Sequence, residues 1–430
     1  MSRGRRAPTF AEDLEFRRLW HQAAGAGLRE RLESGAITGY IGFDPTADSL
    51  HVGHLLQLCM LRRLQSAGHK PIAVAGGGTG LIGDPGGKSE ERPLLDTAQL
   101  RANIGSIRAQ LEHFVDFSGG GAVLVDNADW LGSLGLVDFL RDVGKHFSVN
   151  EMIRRESVMS RLDRPEQGIS FTEFSYMLLQ AYDFLHLFDL YDCRLQLGGS
   201  DQYGNILMGV ELVRKQRRAD VYGLTSPLVL KADGTKIGKT ETGTVWLDAR
   251  RTSPYQLYQY FLRTEDSVVA DYLRYFTFLD QDTITALDES ASSHPEMRES
   301  QRELARQVST LVHGEVETRR AEEAAGALYS QEVASLDERT LLEVCSEAPT
   351  TTFPRSDLDG DGLALVDATV RTGIASSKGA ARTLVAQGGI YVNNVRQSDL
   401  DARIIRGDLL FGKYLLLRRG KQDYHLLRFE

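Results

Sequence analysis

The chain has 430 residues, with 50 lysines and arginines against 59 aspartates and glutamates, so its formal net charge is -9 at pH 7. This length suffices for two or three domains, and an apolar fraction of 42% with 25% charged residues is typical of a soluble globular protein. The acidic balance excludes a general attraction to nucleic acid, and no apolar run is long enough to span a membrane. Three scattered cysteines argue against a disulfide framework and favour a reducing, cytoplasmic location.

Residues 1–36 are expected to form a helical lead-in, with Phe10 and Leu14 packed on one face. We expect Arg17 and Arg18 to lie on its solvated face. The first stretch with a chemical signature follows this lead-in.

That stretch joins a strand to a helix. An apolar run at residues 37–43 predicts a buried strand, a turn follows, and leucines at helical spacing come after His51. Strand, turn and helix in this order form the first half of a nucleotide-binding βαβ unit. Gly53 lets a ligand approach the backbone at the helix start, where the helix dipole attracts phosphate. Spacing alone leaves open whether His51 and His54 bind phosphate or form a structural or metal-binding pair, although metal pairs prefer i, i+4.

A second apolar strand at residues 71–75 ends in a glycine-rich stretch, residues 76–89. The stretch contains Gly-Lys-Ser, but the phosphate-loop template requires a glycine where this chain has Ile82, which argues against a P-loop ATPase. Lys88 and Arg92 are candidates for phosphate contacts. The alternative is an exposed, solvated loop.

A long apolar helix is predicted at residues 174–188. Tyr176, Gln180 and Asp183 lie at i, i+4 and i+7, on one face of it. Three aligned polar groups in an apolar helix indicate either a polar pocket or a set of satisfied hydrogen bonds in the core.

A strand at residues 195–197 leads into a second glycine-containing turn with Gly199 and Asp201. Ligands of open α/β sheets bind beyond the carboxyl ends of the strands, and an acidic residue there often binds ribose hydroxyls. This turn is therefore a candidate nucleotide contact.

A further strand is predicted at residues 228–230, followed by Lys236 and Lys239 with glycines around them. Lysines act as point charges for phosphate, and glycines permit a loop to close over a substrate. A hairpin with surface lysines explains this stretch equally well.

The rest of the chain is helical from residue 253 to about 341, then rich in Pro, Thr, Ser, Asp and Gly at residues 345–361, which we predict to be a linker. From Arg371 onward lysines and arginines outnumber acidic residues roughly two to one. Strands are predicted at 414–417 and 425–429. A small basic domain is therefore expected at residues 362–430.

Together, these blocks resemble the bacterial tyrosyl-tRNA synthetases, which are class I aminoacyl-tRNA synthetases. His51-Val52-Gly53-His54 is similar to the HIGH motif of that family, and residues 236–240 are similar to its KMSKS loop. Further similar blocks lie at residues 42–46, 81–85, 179–183 and 199–202. Near the C-terminus, residues 377–382 and 387–393 resemble the small RNA-binding domain of ribosomal protein S-four.

The resemblance implies an α/β fold. A Rossmann-like catalytic domain at residues 1–245 is followed by a helical domain at 246–344, the linker at 345–361 and an α+β RNA-binding domain at 362–430. The implied reaction activates L-tyrosine with ATP to tyrosyl-adenylate and pyrophosphate, then transfers tyrosyl to the terminal adenosine of tRNA(Tyr). Mg2+ is expected to accompany ATP, with no dedicated metal site. The implied assembly is a homodimer, with neither DNA nor a membrane as partner.

The resemblance also implies a role for each matching residue. For the substrate tyrosine, Tyr40 and Asp183 would hold the phenol, Asp84, Tyr176 and Gln180 the ammonium with Asp44 nearby, and Gln202 would lie near the carboxylate. For ATP, Asp201 would bind the ribose, Gly53 and Gly199 would lie against the nucleotide, and Thr46, His51 and His54 would bind the phosphates. The residues expected to close over pyrophosphate are Lys88, Arg92, Lys236, Lys239 and Thr240. Lys378 and Arg382 would bind RNA.

Two positions depart from many relatives, namely Tyr203 in the block after Asp201 and Gln57 in the helix after His54. Both departures bear on the affinity for adenosine.

Three other functions compete with this one. A tryptophan enzyme of the same fold has no reason to place Asp183 opposite Tyr40. A small nucleotidylyltransferase is usually shorter, and a non-catalytic RNA-binding relative would carry damaged motifs.

Overall fold

The computed structural model describes residues 8–84, 96–155, 158–159, 162, 168–240, 243–327, 333, 336–345, 348–420 and 423–430. The chain divides into two compact units. One comprises Met1–Thr252 and Phe261–Val312, and the other comprises Ser253–Tyr260 and His313–Glu430.

The first unit is built on a six-stranded sheet. Its strands are β1 (Gln22–Ala24), β2 (Thr38–Phe43), β3 (Lys70–Ala75), β4 (Val123–Asp126), β5 (Cys193–Gly199) and β6 (Tyr222–Ser226). Their order is β1-β6-β5-β2-β3-β4, with β1 antiparallel to β6 and the remaining neighbours parallel. The chain leaves β2 toward β3 on one side and returns to β5 on the other, so the carboxyl ends of β2 and β5 flank the crevice where ligands of such sheets bind.

Helices connect these strands. Up to β6 they are α1 (Phe10–Phe16), α2 (Leu28–Glu33), α3 (Val52–Ser66), α4 (Thr97–Phe114), α5 (Ala128–Leu131), α6 (Leu136–Asp142), α7 (Val149–Ile153), α8 (Phe171–Tyr191) and α9 (Tyr203–Arg217). The central strands are buried on both faces, as parallel strands covered by helices are. One apolar cluster joins Tyr40 and Ile72 of the sheet to Phe184 of α8 and Leu212 of α9.

Two short strands follow in the lysine-containing loop, β7 (Lys239–Thr240) and β8 (Gly243–Thr244). The later helices are α10 (Pro254–Leu262), α11 (Asp266–Phe276), α12 (Gln281–Ser293), α13 (Glu299–His313), α14 (Glu315–Ala327) and α15 (Glu338–Val344). Of these, α11, α12 and all but the last residue of α13 belong to the first unit, so the compact units are divided differently from the boundary predicted at residue 246.

The predicted solvation of Arg17 is wrong. Its guanidinium is buried and donates to the backbone carbonyls of Arg274, Thr277 and Leu279 at 3.1, 3.0 and 2.6 Å. Asp13 balances its charge at 2.6 Å. Arg17 therefore donates to the carbonyls at and just beyond the end of α11, a task that it shares with Arg63 at Arg274 and Thr277.

Two further expectations differ from the structure. The lead-in contains β1 between its helices, and the strand predicted at residues 228–230 is wrong. The strand in this region is β6, which ends at Ser226, lies between β1 and β5 and has all five of its residues buried, whereas Leu230 forms an isolated bridge to Lys236. The apolar residues correctly indicated a strand in this region of the sequence, but the bounds of β6 are set by its pairing with β5 and β1.

The second unit contains a five-stranded sheet, a two-stranded sheet and short helices. Its elements are β9 (Thr350–Phe353), β10 (Leu363–Ala364), α16 (Leu365–Arg371), α17 (Lys378–Ala386), β11 (Ile390–Val392), β12 (Val395–Gln397), β13 (Arg403–Ile404), β14 (Tyr414–Arg419) and β15 (Asp423–Phe429). The larger sheet has the order β12-β11-β14-β15-β9. β9 lies inside the stretch predicted as a linker, pairs in parallel with β15 and buries Phe353, so ordered structure begins before residue 362.

Among the described residues, no helix combines the length and the apolar character needed to cross a bilayer.

Candidate active site

A buried carboxylate lies on α8 beside the sheet. Asp183 of α8 accepts the indole N–H of Trp130 at 2.7 Å and an amide N–H of Asn127 at 2.9 Å. Burial raises the pKa of Asp183 to about 7, although both donors act in the opposite direction. The arrangement is a carboxylate oriented by two donors from the segment after β4.

Tyr40 of β2 lies beside this carboxylate. Its ring packs edge to face on Phe184 with 5.4 Å between the ring centres, and its hydroxyl oxygen is buried. That oxygen has no hydrogen-bond partner in the part of the chain that the structure describes. Burial first and then the charge of Asp183 raise the pKa of Tyr40 well above its ordinary value. A buried hydroxyl without a partner is costly, which marks this point as one where a polar ligand group can bind.

A second carboxylate follows the carboxyl end of β2. Asp44 accepts the hydroxyl of Tyr176 at 2.9 Å on one oxygen and the hydroxyl of Thr79 at 2.8 Å on the other. Asn127 donates to Thr79 at 3.0 Å and so connects this group to Asp183. Burial and then the nearby Asp44 raise the pKa of Tyr176 well above 10, which keeps its hydroxyl protonated as a donor.

A third polar group joins Asp84 to the turn after β5. Gln202 donates to Asp84 at 2.6 Å and accepts from Gln180 at 3.2 Å. Asn205 donates to Gln180 at 3.0 Å and to Gln202 at 3.3 Å. Asp84 is buried, so this end of the pocket presents oriented amides and a carboxylate where a cationic group can bind.

The entrance of α3 carries the two histidines. Gly53 donates its backbone N–H to Nδ1 of His51 at 3.0 Å, and His51 donates its own N–H to Nδ1 of His54 at 3.2 Å. Each Nδ1 is thus an acceptor, and this bonding pattern assigns the proton of each neutral ring to Nε2. The two rings lie 4.0 Å apart, centre to centre. The pair therefore presents N–H donors at a helix N-terminus, as phosphate requires.

The lysine-containing loop reaches this entrance. Gly238 has a φ of +93°, and a Cβ built on it would lie 3.0 Å from the backbone nitrogen of Gly53, so two glycines allow the two backbones to meet. Lys236 places its ammonium 3.5 Å from a carboxylate oxygen of Asp201, in the turn after β5. The loop thus lies between the entrance of α3 and the turn after β5.

The structure brings most of the predicted site residues to the carboxyl ends of the strands. Thr46 lies in the turn that follows β2, and Gly199 is the last residue of β5, where a Cβ would lie 2.7 Å from a carboxylate oxygen of Asp201. Lys88 and Arg92 lie outside the described residues, as do the side chains of Lys239 and Thr240, whose backbone forms β7. The location of those four side chains in the site stays a prediction.

Sequence reasoning missed four residues that orient the predicted ones, namely Thr79, Asn127, Trp130 and Asn205. Asn127 and Trp130 directly follow the carboxyl end of β4, and Thr79 follows β3. The rule that ligands bind beyond strand ends, which indicated Asp201, applies equally to these two turns.

The second unit carries the two residues predicted to bind RNA. Lys378 and Arg382 are exposed on α17, one turn apart, and Lys378 pairs with Asp367 at 2.7 Å. In the same unit, Arg418 of β14 stacks on Tyr391 with its guanidinium 3.8 Å from the ring centre. Exposed cations and stacked aromatic groups suit a nucleic acid.

Comparison with known proteins places this geometry in a family. A family model described as tRNA synthetases class I (W and Y) matches residues 32–330, and one described as the tyrosine–tRNA ligase SYY-like C-terminal domain matches residues 346–427. The tyrosine–tRNA ligase of Roseiflexus castenholzii is 52% identical over 98% of this chain and 99% of its own length. That of Geobacillus stearothermophilus is 48% identical over 97% and 99%.

A solved structure agrees. The C-terminally truncated mitochondrial tyrosyl-tRNA synthetase of Aspergillus nidulans matches with a TM-score of 0.68 at 32% identity, over 76% of this chain and 95% of that one. The predicted α/β fold and the resemblance drawn from the motifs are thereby confirmed. The chain belongs to the class I tRNA synthetases and, within them, to the tyrosine–tRNA ligases.

Proposed function

We propose that this chain condenses L-tyrosine with ATP in the crevice between β2 and β5 and transfers the tyrosyl group to tRNA(Tyr). The observation that carries the proposal is the pairing of Asp183, oriented by two donors, with the unpartnered hydroxyl of Tyr40. A phenol between them donates to the carboxylate and accepts from Tyr40. Phenylalanine leaves both groups unsatisfied, which is how a site of this kind rejects it.

The ammonium of the substrate is assigned to the other end of the pocket. Asp84, Tyr176 and Gln180 surround that point, with Asp44 behind Tyr176. The carboxylates of Asp84, which is buried, and Asp44, which is partly buried, compensate a cation that would otherwise be costly to desolvate. Gln202, which donates to Asp84, lies toward the substrate carboxylate and orients it for attack.

The nucleotide is assigned to the side of α3 and the lysine loop. Asp201 accepts the ribose hydroxyls, while Gly53 and Gly199 leave room for the nucleotide against the backbone. Thr46 and the Nε2–H groups of His51 and His54 donate to phosphate oxygens. The Lys236–Asp201 pair is exposed, so exchanging it for ATP contacts costs little.

The chemistry follows from this placement. The tyrosine carboxylate attacks the α-phosphorus in line, pyrophosphate leaves, and the protein acts by positioning and by stabilising the negative charge that develops. Lys88, Arg92, Lys236, Lys239 and Thr240 are assigned to the departing pyrophosphate. Mg2+ is assigned to ATP and enters with it as part of the substrate.

The RNA substrate is assigned to both units. Lys378 and Arg382 contact its phosphates, which provides local attraction despite the acidic chain as a whole. The cytoplasm is the proposed location, supported by three buried free cysteines.

The active assembly is proposed to be a homodimer. Leu136 and Val137 of α6 are 72% and 73% exposed, and Phe171 at the start of α8 is 78% exposed. Val149 of α7 adds to this apolar surface. Patches of this kind mark interfaces between proteins.

The test is ATP–pyrophosphate exchange on the purified chain with tyrosine, tryptophan and phenylalanine in turn. Exchange with tyrosine alone supports the reaction and the phenol assignment together. Exchange with tryptophan contradicts the pocket assignment, and no exchange with any of the three contradicts the reaction.

A further inference from the structure

The segment that follows the lysine loop returns to the first histidine motif and pairs with it. Segments 50–52 and 245–247 exchange two backbone hydrogen bonds, of 2.9 and 3.0 Å, one on each side of His51. His51 and Trp246 therefore face each other across an antiparallel bridge. The backbone N–H of Val245 also donates to the carbonyl of Gly238 at 3.0 Å, which ties this segment to the loop.

The side chains continue the contact. The ring of Trp246 meets that of His51 edge to face, with 5.9 Å between centres and 69° between planes. Arg251 lies over the ring of Trp246, with its guanidinium 3.5 Å from the ring centre. The same guanidinium donates to Asp48 at 2.5 Å, three residues before His51. We call Asp48, Arg251 and Trp246 the tryptophan clamp.

The tryptophan clamp restricts a rotation of the His51 ring that the hydrogen bonds at the start of α3 still allow. The bond from Gly53 to Nδ1 fixes one edge of the His51 ring, but rotation about that bond would still move Nε2. An aromatic edge against the ring opposes this rotation, and stacking by Arg251 opposes movement of the indole. Displacements below 1 Å at such a donor are enough to slow a reaction that depends on positioning.

We propose that Trp246 is a positioning residue for His51, held in place by Arg251 and Asp48, and that it sets the rate of adenylate formation through the histidine without touching the substrates. The inference rests on the proposed function, in which Nε2 of His51 donates to ATP phosphates. Trp246 connects that donor to the segment that follows the lysine loop.

The experiment measures single-turnover tyrosyl-adenylate formation at saturating tyrosine and ATP. Trp246→Leu lowers the rate about tenfold and Arg251→Ala about threefold, with the affinity for tyrosine unchanged. Trp246→Phe keeps an aromatic edge and restores most of the rate. Arg250→Ala is the matched control, because the neighbouring Arg250 is exposed and pairs with Asp248. It leaves the rate unchanged.

A double-mutant cycle with His51→Asn separates positioning from general damage. If the clamp acts through the histidine, Trp246→Leu and Arg251→Ala each change the rate less than about twofold in the His51→Asn background. Equal fold-losses in both backgrounds overturn the inference. If Trp246→Leu lowers the melting temperature, the cycle is read from Arg251→Ala, because Arg251 is exposed and its replacement disturbs the fold less.

The wild-type chain separates this inference from the proposed function. A wild type without tyrosine-dependent activity overturns both. If the wild type is active but the clamp variants lose the same fold of rate with and without His51→Asn, the inference alone is overturned.

Discussion

Trp130 donates its indole N–H to Asp183 across 2.7 Å, from the segment after β4 to the middle of α8. The indole also stacks on His186, 4.5 Å away between ring centres, which fixes the plane from which it donates. The bond orients one carboxylate oxygen and opposes the rise in the pKa of Asp183 that burial causes. The carboxylate is thereby prepared to accept one more hydrogen bond, which the proposed function assigns to the substrate phenol.

The first prediction concerns amino-acid selection. Asp183→Ala removes the acceptor for the phenol, so the ratio of kcat/KM for tyrosine over phenylalanine falls by roughly 10- to 100-fold, the equivalent of one hydrogen bond to a charged group. Pyrophosphate exchange with both amino acids measures it. Asp189→Ala, on the same helix but paired with Arg217 at the surface, is the control and leaves the ratio unchanged. An unchanged ratio in Asp183→Ala would place the phenol elsewhere.

The second prediction concerns pH. Burial raises the pKa of Asp183 from 3.8 to about 7, so between about pH 4 and pH 7 the folded chain holds a proton that the unfolded chain has lost. The contribution of this group to the free energy of unfolding is therefore fully present below about pH 4. It declines as the pH rises from about 4 to about 7, and it is lost above that range. The decline is ~4 kcal/mol, at about 1.4 kcal/mol for each unit of pKa.

Asp183→Asn removes this titration. Without tyrosine, the melting temperature of the wild type is expected to fall relative to the variant between pH 5 and pH 8. The comparison uses the pH slopes, because the amide also changes the absolute stability. Parallel slopes would show that Asp183 does not titrate in this range.

The sequence predicted those parts of the fold and site that depend on neighbours along the chain. The strand before Asp44 and the helix after His51 were predicted from periodicity. Together they predicted that the two histidines lie at the crevice. Gly53 was predicted to leave room beside the backbone at the helix start, and the backbone of Gly238 lies against it there. Each of these inferences needed only a local pattern and the rule about strand ends.

Residues whose partners are distant in sequence could not be assigned in this way. Arg17 resembles a solvated arginine on an amphipathic helix, but it meets carbonyls more than 250 positions away. Trp130 resembles a core aromatic residue until Asp183 is placed beside it. Their roles depend on tertiary packing, which local periodicity does not encode.

The third prediction concerns assembly. Val137→Glu places a charge on the exposed apolar surface of α6, so we expect the proposed dimer to dissociate to monomers at micromolar concentration. Sedimentation velocity measures the change. Val316→Glu is the control, because Val316 of α14 is similarly exposed at 65% but lies in the other unit. A wild type that is monomeric at the same concentration would rule out this interface.

The fourth prediction separates the two reaction steps. Lys378→Ala removes one exposed cation from α17, far along the chain from the histidine and lysine motifs, so adenylate formation is expected to stay at the wild-type rate. Aminoacylation at limiting tRNA weakens several-fold, and its dependence on salt becomes shallower because one phosphate contact is lost.

Lys413→Ala serves as the matched control, since Lys413 is an exposed lysine of the same unit that pairs with Glu338 at 3.0 Å. We expect it to change charging less than Lys378→Ala does. If Lys378→Ala slowed both steps equally, its effect would come from the protein as a whole, and the assignment of RNA contacts to α17 would fail.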